Sequence, residues 1–379
     1  MPKVERAAVL TGGGDCAGLN PAIKWVTKGL LDDDMKRQYR RNFQIIGIKR
    51  GWAGFVEYKS SNALDDNNIA PLNEAMVRTW DRLGGTNLGS SRTNPFRDEK
   101  TLKKTIRNIK SLSIEVIIAI GGEDTLGVAE GLRQHGINVI GIPKTIDKDL
   151  CGTDYSLGFS TAVEVISEEI GRLRTTAGSH ERIFVVETMG RHAGHLALQG
   201  GIAGGACMIL IPEYEFDMDK VLHILSRRKK MGARYDIVVV AEGARSKHHH
   251  ELTKTTEVDE FGHKILGGIG EFVARQIKKE KTSEVRWVTL SHLQRGGSPS
   301  AYDIRMGRAF GLAAAELAMR RDYGKMVSLR DNHITNVPIQ DAIRKDEKGN
   351  TILNLVNVEI EYDTERYIAR RRVLGTKIY

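Results

Sequence analysis

The fold is decided by two stretches of sequence, VIIAIGGEDT at residues 116–125 and VIGIPKTIDKD at residues 139–149. Each begins with a short run of apolar, mostly β-branched residues, as expected of a strand buried on both faces of a parallel sheet. Each run is followed by small residues and then by charged side chains. Open α/β sheets bind ligands at this edge. Backbone amides there can hold phosphate, and carboxylates can hold Mg²⁺ or act as a base.

Apolar runs alternate with amphipathic helical stretches along most of the chain, which predicts an α/β fold with mostly parallel sheets. The other predicted strands are residues 7–11, 43–48, 183–187, 208–212, 237–241 and 287–290. A chain of 379 residues exceeds one typical domain. We therefore expect one lobe at residues 1–150, a second at residues 151–330, and an extension at residues 331–379 that packs back on the lobes.

The composition narrows the class of protein. Hydrophobic residues make up 40% of the chain, enough for a large core, and no apolar run is long enough to cross a bilayer. The three widely spaced cysteines and the lack of a secretory signal predict a cytoplasmic protein with reduced thiols. The net charge of +9 fits either an anionic substrate or solvated helix faces. No nucleic-acid-binding motif is present, so we expect neither a nucleic-acid partner nor a membrane.

Two further segments leave alternatives open. The glycine-rich turn TGGGDCAGLN at residues 11–20 can hold phosphate on its amides, but an ordinary tight turn fits the sequence as well. It lacks the Gly-Lys-Ser/Thr ending of a Walker A loop. Three consecutive histidines at residues 248–250 could bind metal, but adjacent residues do not share one face of a helix or strand, so an exposed loop is favoured.

Five motifs occur in an order that resembles the 6-phosphofructokinase family, and more closely its pyrophosphate-dependent branch. They are TGGGD at residues 11–15, GGEDT at 121–125, PKTIDKD at 143–149, MGR at 189–191 and HLQRGG at 292–297. One such glycine cluster would be a weak signal, whereas five in order are specific. The resemblance implies two similar Rossmann-like lobes with the active site in the cleft between them. It also implies a homodimer or homotetramer with shared sites.

The resemblance implies a donor side built from the first lobe. Gly13 matches the loop that cradles the phosphoryl donor, and Glu123 matches the ligand of Mg²⁺, the expected cofactor. ATP-using relatives have Gly at the positions of Asp124 and Lys144. Asp124 would crowd and repel a nucleotide, while Lys144 supplies a cation for compact pyrophosphate. The alternative for this pair is two coincidental surface charges.

The resemblance also assigns the catalytic groups. Asp147 matches the general base that takes the proton from the 1-hydroxyl of fructose 6-phosphate. We expect Thr145, Asp147 and Asp149 to share one face, since alternate residues of an extended segment point the same way. Lys148 then points away. Arg191 matches a residue that stabilises the phosphoryl group in transfer. The predicted catalytic set is Asp147, Lys144, Asp124, Thr145 and Arg191.

The remaining predicted residues bind the sugar phosphate. Glu242 matches an acceptor from a sugar hydroxyl, and His292 and Arg295 match ligands of the 6-phosphate. Arg182 and Arg286 match arginines that reach the 6-phosphate from a neighbouring subunit. The predicted substrate-binding set is Gly13, Thr145, Asp147, Arg182, Met189, Gly190, Arg191, Glu242, Arg286, His292 and Arg295.

The implied reaction is reversible, Mg²⁺-dependent transfer of a phosphoryl group from pyrophosphate to fructose 6-phosphate, in glycolysis and gluconeogenesis. The alternative is the same reaction with ATP. A lipid or dinucleotide kinase shares a Gly-Gly-Asp-Gly-Thr loop but lacks the motifs at residues 189–191 and 292–297. A catalytically inactive metabolite sensor is disfavoured by the intact Asp147, Glu123 and Arg191.

Overall fold

The computed structural model describes residues 3–59, 66–247, 253–258, 264–266, 268–280 and 283–371. The strands are β1 (Val4–Thr11), β2 (Asn42–Ile48), β3 (Ile69–Leu72), β4 (Ile114–Gly121), β5 (Val139–Pro143), β6 (Ile183–Thr188), β7 (Met208–Leu210), β8 (Asp236–Ala241), β9 (Thr253–Val258), β10 (Lys264–Leu266), β11 (Val285–Thr289), β12 (Lys325–Arg330), β13 (His333–Pro338), β14 (Tyr362–Asp363) and β15 (Ile368–Ala369).

The α-helices are α1 (Leu19–Leu31), α2 (Asp33–Tyr39), α3 (Trp52–Glu57), α4 (Glu74–Val77), α5 (Glu99–Ser111), α6 (Glu123–Gln134), α7 (Phe159–His180), α8 (His195–Gly204), α9 (Met218–Lys230), α10 (Ile269–Lys279), α11 (Ala301–Arg320), α12 (Ile339–Ala342) and α13 (Val358–Glu361). Short 3₁₀ helices occur at Trp80–Arg82, Pro95–Arg97 and Ser291–Arg295. Among the described residues, no helix has the length and apolar character needed to span a bilayer.

Two sheets organise the molecule, and the predicted α/β fold with mostly parallel strands is confirmed. The larger sheet has seven strands in the order β13-β12-β5-β4-β1-β2-β3, of which only β13 and β3 pair antiparallel. The smaller sheet, in the order β11-β6-β8-β7, is entirely parallel. The predicted strands are all present, with ends that agree to within about three residues.

The central strands form because their sequences are apolar on both faces. In β4 the residues from Val116 to Ile120 are fully buried, and β8 is buried along its whole length. Helices cover both faces of a parallel sheet, so its inner strands have no solvated side and show no alternation of polar residues. This continuous burial places the carboxyl ends of β4 and β5 side by side, with Gly121 in register with Pro143.

Strand β12 crosses back to the first sheet, where it pairs in parallel with β5. Strands β12 and β13 therefore both belong to the larger sheet, although a division at residue 330 groups the whole of β12 with the second lobe. Sequence identifies a strand but does not say which sheet completes its hydrogen bonds. The division of the chain at residues 150 and 330 stays a prediction.

The residues that follow β13 pack largely against the second sheet and α8. Tyr362 donates its hydroxyl hydrogen to the carbonyl oxygen of Ile209 at 2.6 Å, and Ile209 N–H donates to the carbonyl oxygen of Tyr367 at 2.6 Å. Both tyrosines are buried. The charged segment at residues 32–42 contains α2, which buries no residue. The three histidines at residues 248–250 lie outside the described residues.

Candidate active site

A cavity of about 600 Å³ opens between the carboxyl ends of the two sheets. Its walls come from the segments that follow β1, β4 and β5 in the larger sheet and β6 and β8 in the smaller one. The lining residues are Gly13, Gly14, Asp15, Arg92, Gly122, Glu123, Asp124, Thr125, Lys144, Thr145, Ile146, Asp147, Asp149, Arg191, His192, Glu242, Arg295, Asn350, Thr351 and Leu353. The two stretches that decide the fold therefore meet in one cavity.

The glycine turn after β1 is held against both neighbours. Gly13 has a φ of +77°, which favours glycine, and its carbonyl oxygen accepts a hydrogen bond from the Ser90 hydroxyl at 2.5 Å. The Lys144 ammonium donates to the carbonyl oxygen of Gly14. A Cβ on Gly14 would overlap the guanidinium of Arg295. A larger residue at this position would push the flexible end of the Arg295 side chain away from the backbone.

Helix α6 begins at the cavity without a side-chain cap. Its N-cap residue is Gly122, which has no side chain to cap the first turn. Thr125 is buried against Gly12 and Gly121, and Asp124 lines the cavity. The positive end of the helix dipole therefore faces the cavity, as in sites that bind phosphate.

Glu123 lies at the same helix end, and its carboxylate accepts a hydrogen bond from the hydroxyl of Thr351. No group of three or more His, Cys, Asp or Glu side chains is arranged for a metal ion among the described residues. This fits Mg²⁺, which is commonly held by one or two carboxylates together with substrate phosphates and water. The carboxylate of Glu123 supplies the kind of oxygen ligand that Mg²⁺ prefers.

The segment after β5 turns instead of running extended. Ile146 and Asp147 form a turn in which the amide of Asp147 donates to the Thr145 hydroxyl at 3.2 Å. The predicted extended conformation is wrong, since a local side-chain hydrogen bond competes with it. Thr145, Asp147 and Asp149 nevertheless all line the cavity. Lys148 does not: its φ is +56°, and its ammonium lies 5.4 Å from the ring centre of Phe159.

Asp147 is the most perturbed acid of the cavity. Burial raises its pKa to about 7, and the negative charges of Asp149 and Glu242 add to the rise, while Arg295 and Arg191 oppose it. Its Oδ1 atom is buried and has no hydrogen-bond partner among the residues that the structure describes. A buried carboxylate oxygen normally has a partner. An unpaired one facing a cavity can accept a proton or a hydroxyl hydrogen from a ligand.

Cations surround this carboxylate. Lys144 is buried, and burial lowers its pKa. The Nε atom of Arg295 is buried and lacks a hydrogen-bond partner. Arg191 follows β6, and Glu242 follows β8, where its amide donates to the carbonyl oxygen of Thr188 at 2.8 Å. Burial also raises the pKa of Glu242. The cavity thus combines positive groups suited to phosphates with two acids that resist ionisation.

Several predicted sugar ligands lie outside the lining of this cavity. Met189 is buried, and its amide donates to the side-chain oxygen of Gln294 at 3.2 Å. Gly190 has a φ of +125° and packs closely against the carbonyl oxygen of Ala193. His292 is exposed beside Ser291. Their assignment as ligands stays a prediction.

Arg182 and Arg286 lie at the opposite edge of the smaller sheet. Arg182 precedes β6 and Arg286 is the second residue of β11, so both are at the amino ends of strands whose carboxyl ends face the cavity. Both guanidinium groups form ion pairs with Glu284, that of Arg182 with a distance of 2.6 Å between Nε and Oε2. Neither lines the cavity of its own chain.

Sequence reasoning missed some of the lining residues. Asp15 ends the quoted motif at residues 11–15 and His192 directly follows the motif at residues 189–191, so both positions were a usable signal. Asn350, Thr351 and Leu353 come from the C-terminal extension and carry no motif. Only the path of the folded chain brings them to the donor side. Arg92 was not missed, since it lies in a segment that resembles the donor side of the family, and it lines the cavity.

Backbone amides and cations gathered around an unpaired carboxylate are typical of enzymes that transfer phosphoryl groups. Comparisons with known proteins agree with this interpretation of the site. The family model described as Phosphofructokinase matches residues 6–318, and the chain belongs to this family. Members of this family are phosphoryl transferases that generally need a divalent metal.

Two relatives differ in their named donor. The pyrophosphate–fructose 6-phosphate 1-phosphotransferase of Dictyoglomus thermophilum is 46% identical over 88% of this chain and 92% of its own length. The ATP-dependent 6-phosphofructokinase of Mycobacterium tuberculosis is 39% identical over 90% of this chain and 95% of its own. The chain is thus similar to members of both branches, and more similar to the first.

Solved structures share the fold. A pyrophosphate-dependent phosphofructokinase from Nitrosospira multiformis matches with a TM-score of 0.78 and 21% identity, over 97% of this chain and 90% of that one. A phosphofructokinase from Saccharomyces cerevisiae matches with a TM-score of 0.74 and 25% identity. The match covers 89% of this chain but only 45% of the yeast chain. The predicted two-lobed Rossmann-like architecture is confirmed.

Proposed function

We propose that this protein transfers a phosphoryl group reversibly from pyrophosphate to the 1-hydroxyl of D-fructose 6-phosphate. The observation that carries the proposal is the buried Oδ1 of Asp147, which has no hydrogen-bond partner among the described residues, in a cavity that Lys144, Arg191 and Arg295 also line. A base without a protein partner, placed among cations, suits an acceptor hydroxyl that attacks a phosphate. The reaction serves glycolysis in one direction and gluconeogenesis in the other.

The transfer balances as a single displacement. The oxygen of the sugar 1-hydroxyl bonds to the nearer phosphorus of pyrophosphate, the bond from that phosphorus to the bridging oxygen breaks, and phosphate leaves. Asp147 takes the hydroxyl proton, which a pKa of about 7 allows near neutral pH. Arg191 neutralises charge on the phosphoryl group in transfer. In the reverse direction protonated Asp147 returns the proton.

The donor assignment to pyrophosphate has two supports. Asp124 and Lys144 both line the donor side of the cavity, where a carboxylate would repel a third phosphate and a nucleoside. The relatives that are 44–46% identical are named as pyrophosphate-dependent, whereas those named as ATP-dependent are 39% identical. Gly13 and the uncapped start of α6 offer amides to the phosphates.

The metal in this proposal is Mg²⁺, held by Glu123 and by donor phosphates. When bound, it neutralises the charge of the donor. Thr145 holds the turn that presents Asp147, and Glu242 and Arg295 contact the sugar phosphate. Met189, Gly190 and His292 complete the sugar site, together with Arg182 and Arg286 of a second copy in a homodimer or homotetramer. A cytoplasmic location stays a prediction.

The proposed role of Asp147 is tested by Asp147→Asn, which keeps the size of the side chain but cannot take the proton. Loss of a general base costs about a hundredfold or more in rate. The measurement is kcat with pyrophosphate, with binding of fructose 6-phosphate followed separately by equilibrium titration. Retained binding with kcat reduced to this extent is expected. A kcat near that of the wild type would show that Asp147 is not the base.

A further inference from the structure

The C-terminal extension forms a small β-hairpin beside the donor side of the cavity. The amide of Ile352 donates to the carbonyl oxygen of Arg344 at 2.7 Å, and that of Asp346 donates to the carbonyl oxygen of Asn350 at 2.8 Å. The Asp346 carboxylate closes the turn by accepting hydrogen bonds from the amides of Lys348 and Asn350. These backbone bonds lower the pKa of Asp346. The turn therefore has a defined shape.

Asn354 joins the end of this hairpin to the catalytic segment. Its amide donates to the carbonyl oxygen of Asp149 at 2.8 Å, and its side-chain nitrogen donates to that of Lys148 at 2.9 Å. The carbonyl oxygen of Asn354 lies 3.1 Å from Nε2 of His195, a buried ring whose pKa burial lowers to about 4. The neutral ring can donate to this carbonyl. The hairpin is thus fixed to the turn that carries Asp147.

This anchoring brings one hydroxyl group of the hairpin to the donor side. The Thr351 hydroxyl donates to Oε1 of Glu123, and Asn350 and Thr351 both line the cavity. A carboxylate has about four acceptor positions. The hydrogen bond from Thr351 orients the group and uses only one of these positions. Glu123 and Thr351 are far apart in sequence, so they meet because the folded extension reaches the donor side.

We propose that Thr351 is a positioning residue for Glu123, so that the C-terminal hairpin orients the carboxylate that holds the divalent metal and its phosphate donor. The inference rests on the proposed function, which assigns the metal to Glu123. Thr351 acts through Glu123 and does not contact the reacting atoms. When a side chain that hydrogen-bonds a metal ligand is removed, the metal affinity of the site typically falls about 10- to 100-fold.

The test is metal binding in the absence of an acceptor. Mn²⁺, a paramagnetic substitute for Mg²⁺, is titrated in the presence of pyrophosphate and followed by electron paramagnetic resonance. Thr351→Val removes the hydroxyl and keeps the shape, and we expect Mn²⁺ to bind about tenfold more weakly. Thr351→Ser restores the hydroxyl and should restore the affinity. The matched control is Thr364→Val, which changes a threonine of the same extension that does not line the cavity and should bind like the wild type.

Steady-state kinetics supply the second readout. Thr351→Val should raise the Mg²⁺ concentration needed for half-maximal rate, with the KM for fructose 6-phosphate unchanged. Wild-type Mn²⁺ affinity in Thr351→Val would overturn the proposal, and so would a Thr351→Ser variant as weak as Thr351→Val. Glu123→Gln distinguishes a failure of the inference about Thr351 from a failure of the proposed function. If Glu123→Gln binds Mn²⁺ weakly and Thr351→Val binds it normally, only the inference fails. If Glu123→Gln binds it normally, the metal assignment in the proposed function fails.

Discussion

At the scale of single residues, we expect the charges around Asp147 to set the pH range of the proposed reaction. Burial and the neighbouring Asp149 and Glu242 favour the protonated carboxyl, whereas Arg295 and Arg191 favour the carboxylate. The result is a pKa of about 7. A base with a pKa near the working pH combines a useful fraction of the ionised form with enough proton affinity to act. With the same pKa, a fraction of Asp147 is protonated near neutral pH and can return the proton in the reverse reaction.

Asp149→Asn should move the pH profile of the forward reaction. The rate of phosphoryl transfer to the sugar requires ionised Asp147, so it falls as the pH drops through the pKa. Removing the negative charge of Asp149 makes ionisation of Asp147 easier and lowers that pKa. We expect the acid limb of kcat/KM to shift to lower pH. Wild type and variant share the ionisations of the substrates, so these cancel in the comparison. An unshifted limb, or a shift to higher pH, would contradict the assignment.

At the scale of elements, the site depends on the meeting of two loops that are far apart in sequence. The turn after β1 presents its backbone, and the 3₁₀ segment Ser291–Arg295 ends in the arginine that lies against Gly14. Lys144, which follows β5, bonds the same glycine from the other side. Cations from both sheets are therefore positioned by one short stretch of backbone.

Gly14→Ala should separate these elements, because the added methyl overlaps the Arg295 guanidinium. Displacing a charged hydrogen-bond donor from a phosphate should raise the KM for fructose 6-phosphate about tenfold or more. The control is Gly127→Ala within α6, where an added methyl meets nothing within 4 Å and should leave both KM values unchanged. Michaelis constants for both substrates and the Tm check the result. A Gly14→Ala variant with the wild-type KM for the sugar phosphate would refute the contact as a source of affinity.

The same elements show what sequence can and cannot predict. Apolar runs located the strands, and because parallel strands end together, the clusters after β4 and β5 were correctly predicted to meet. The turn at Ile146–Asp147 was missed because a single hydrogen bond from an amide to Thr145 overrides alternation. The contacts of Gly14 with Arg295 and of Glu123 with Thr351 depend on tertiary packing, which leaves no local pattern in the sequence.

At the scale of the whole molecule, the smaller sheet suggests where a second copy would bind. Strand β11 is an edge strand whose Trp287 is 42% exposed. Arg182 lies at the amino end of the neighbouring strand β6 and Arg286 at the amino end of β11, and neither lines the cavity of its own chain. Glu284 holds both guanidinium groups in one cluster. This arrangement suits arginines that complete the 6-phosphate site of a neighbouring subunit.

Mixing two inactive variants tests the shared site. Asp147→Asn damages the cavity side and Arg286→Ala damages the side donated to the neighbour. Refolding them together should restore up to about a quarter of wild-type activity, since half of the dimers are mixed and each mixed dimer has one intact site. Asp147→Asn mixed with Arg295→Ala is the control, because both changes affect the same cavity. If subunit exchange is demonstrated and the first mixture stays inactive, the two arginines do not act across an interface.

The choice of phosphoryl donor tests the central claim most directly. The measurement is kcat/KM for pyrophosphate and for ATP, in the wild type and in Asp124→Gly and Lys144→Gly. The account predicts a wild type that prefers pyrophosphate. Asp124→Gly should gain activity with ATP because a repulsive carboxylate is gone, and Lys144→Gly should chiefly lose activity with pyrophosphate because a buried cation is gone. A wild-type enzyme that prefers ATP would contradict it.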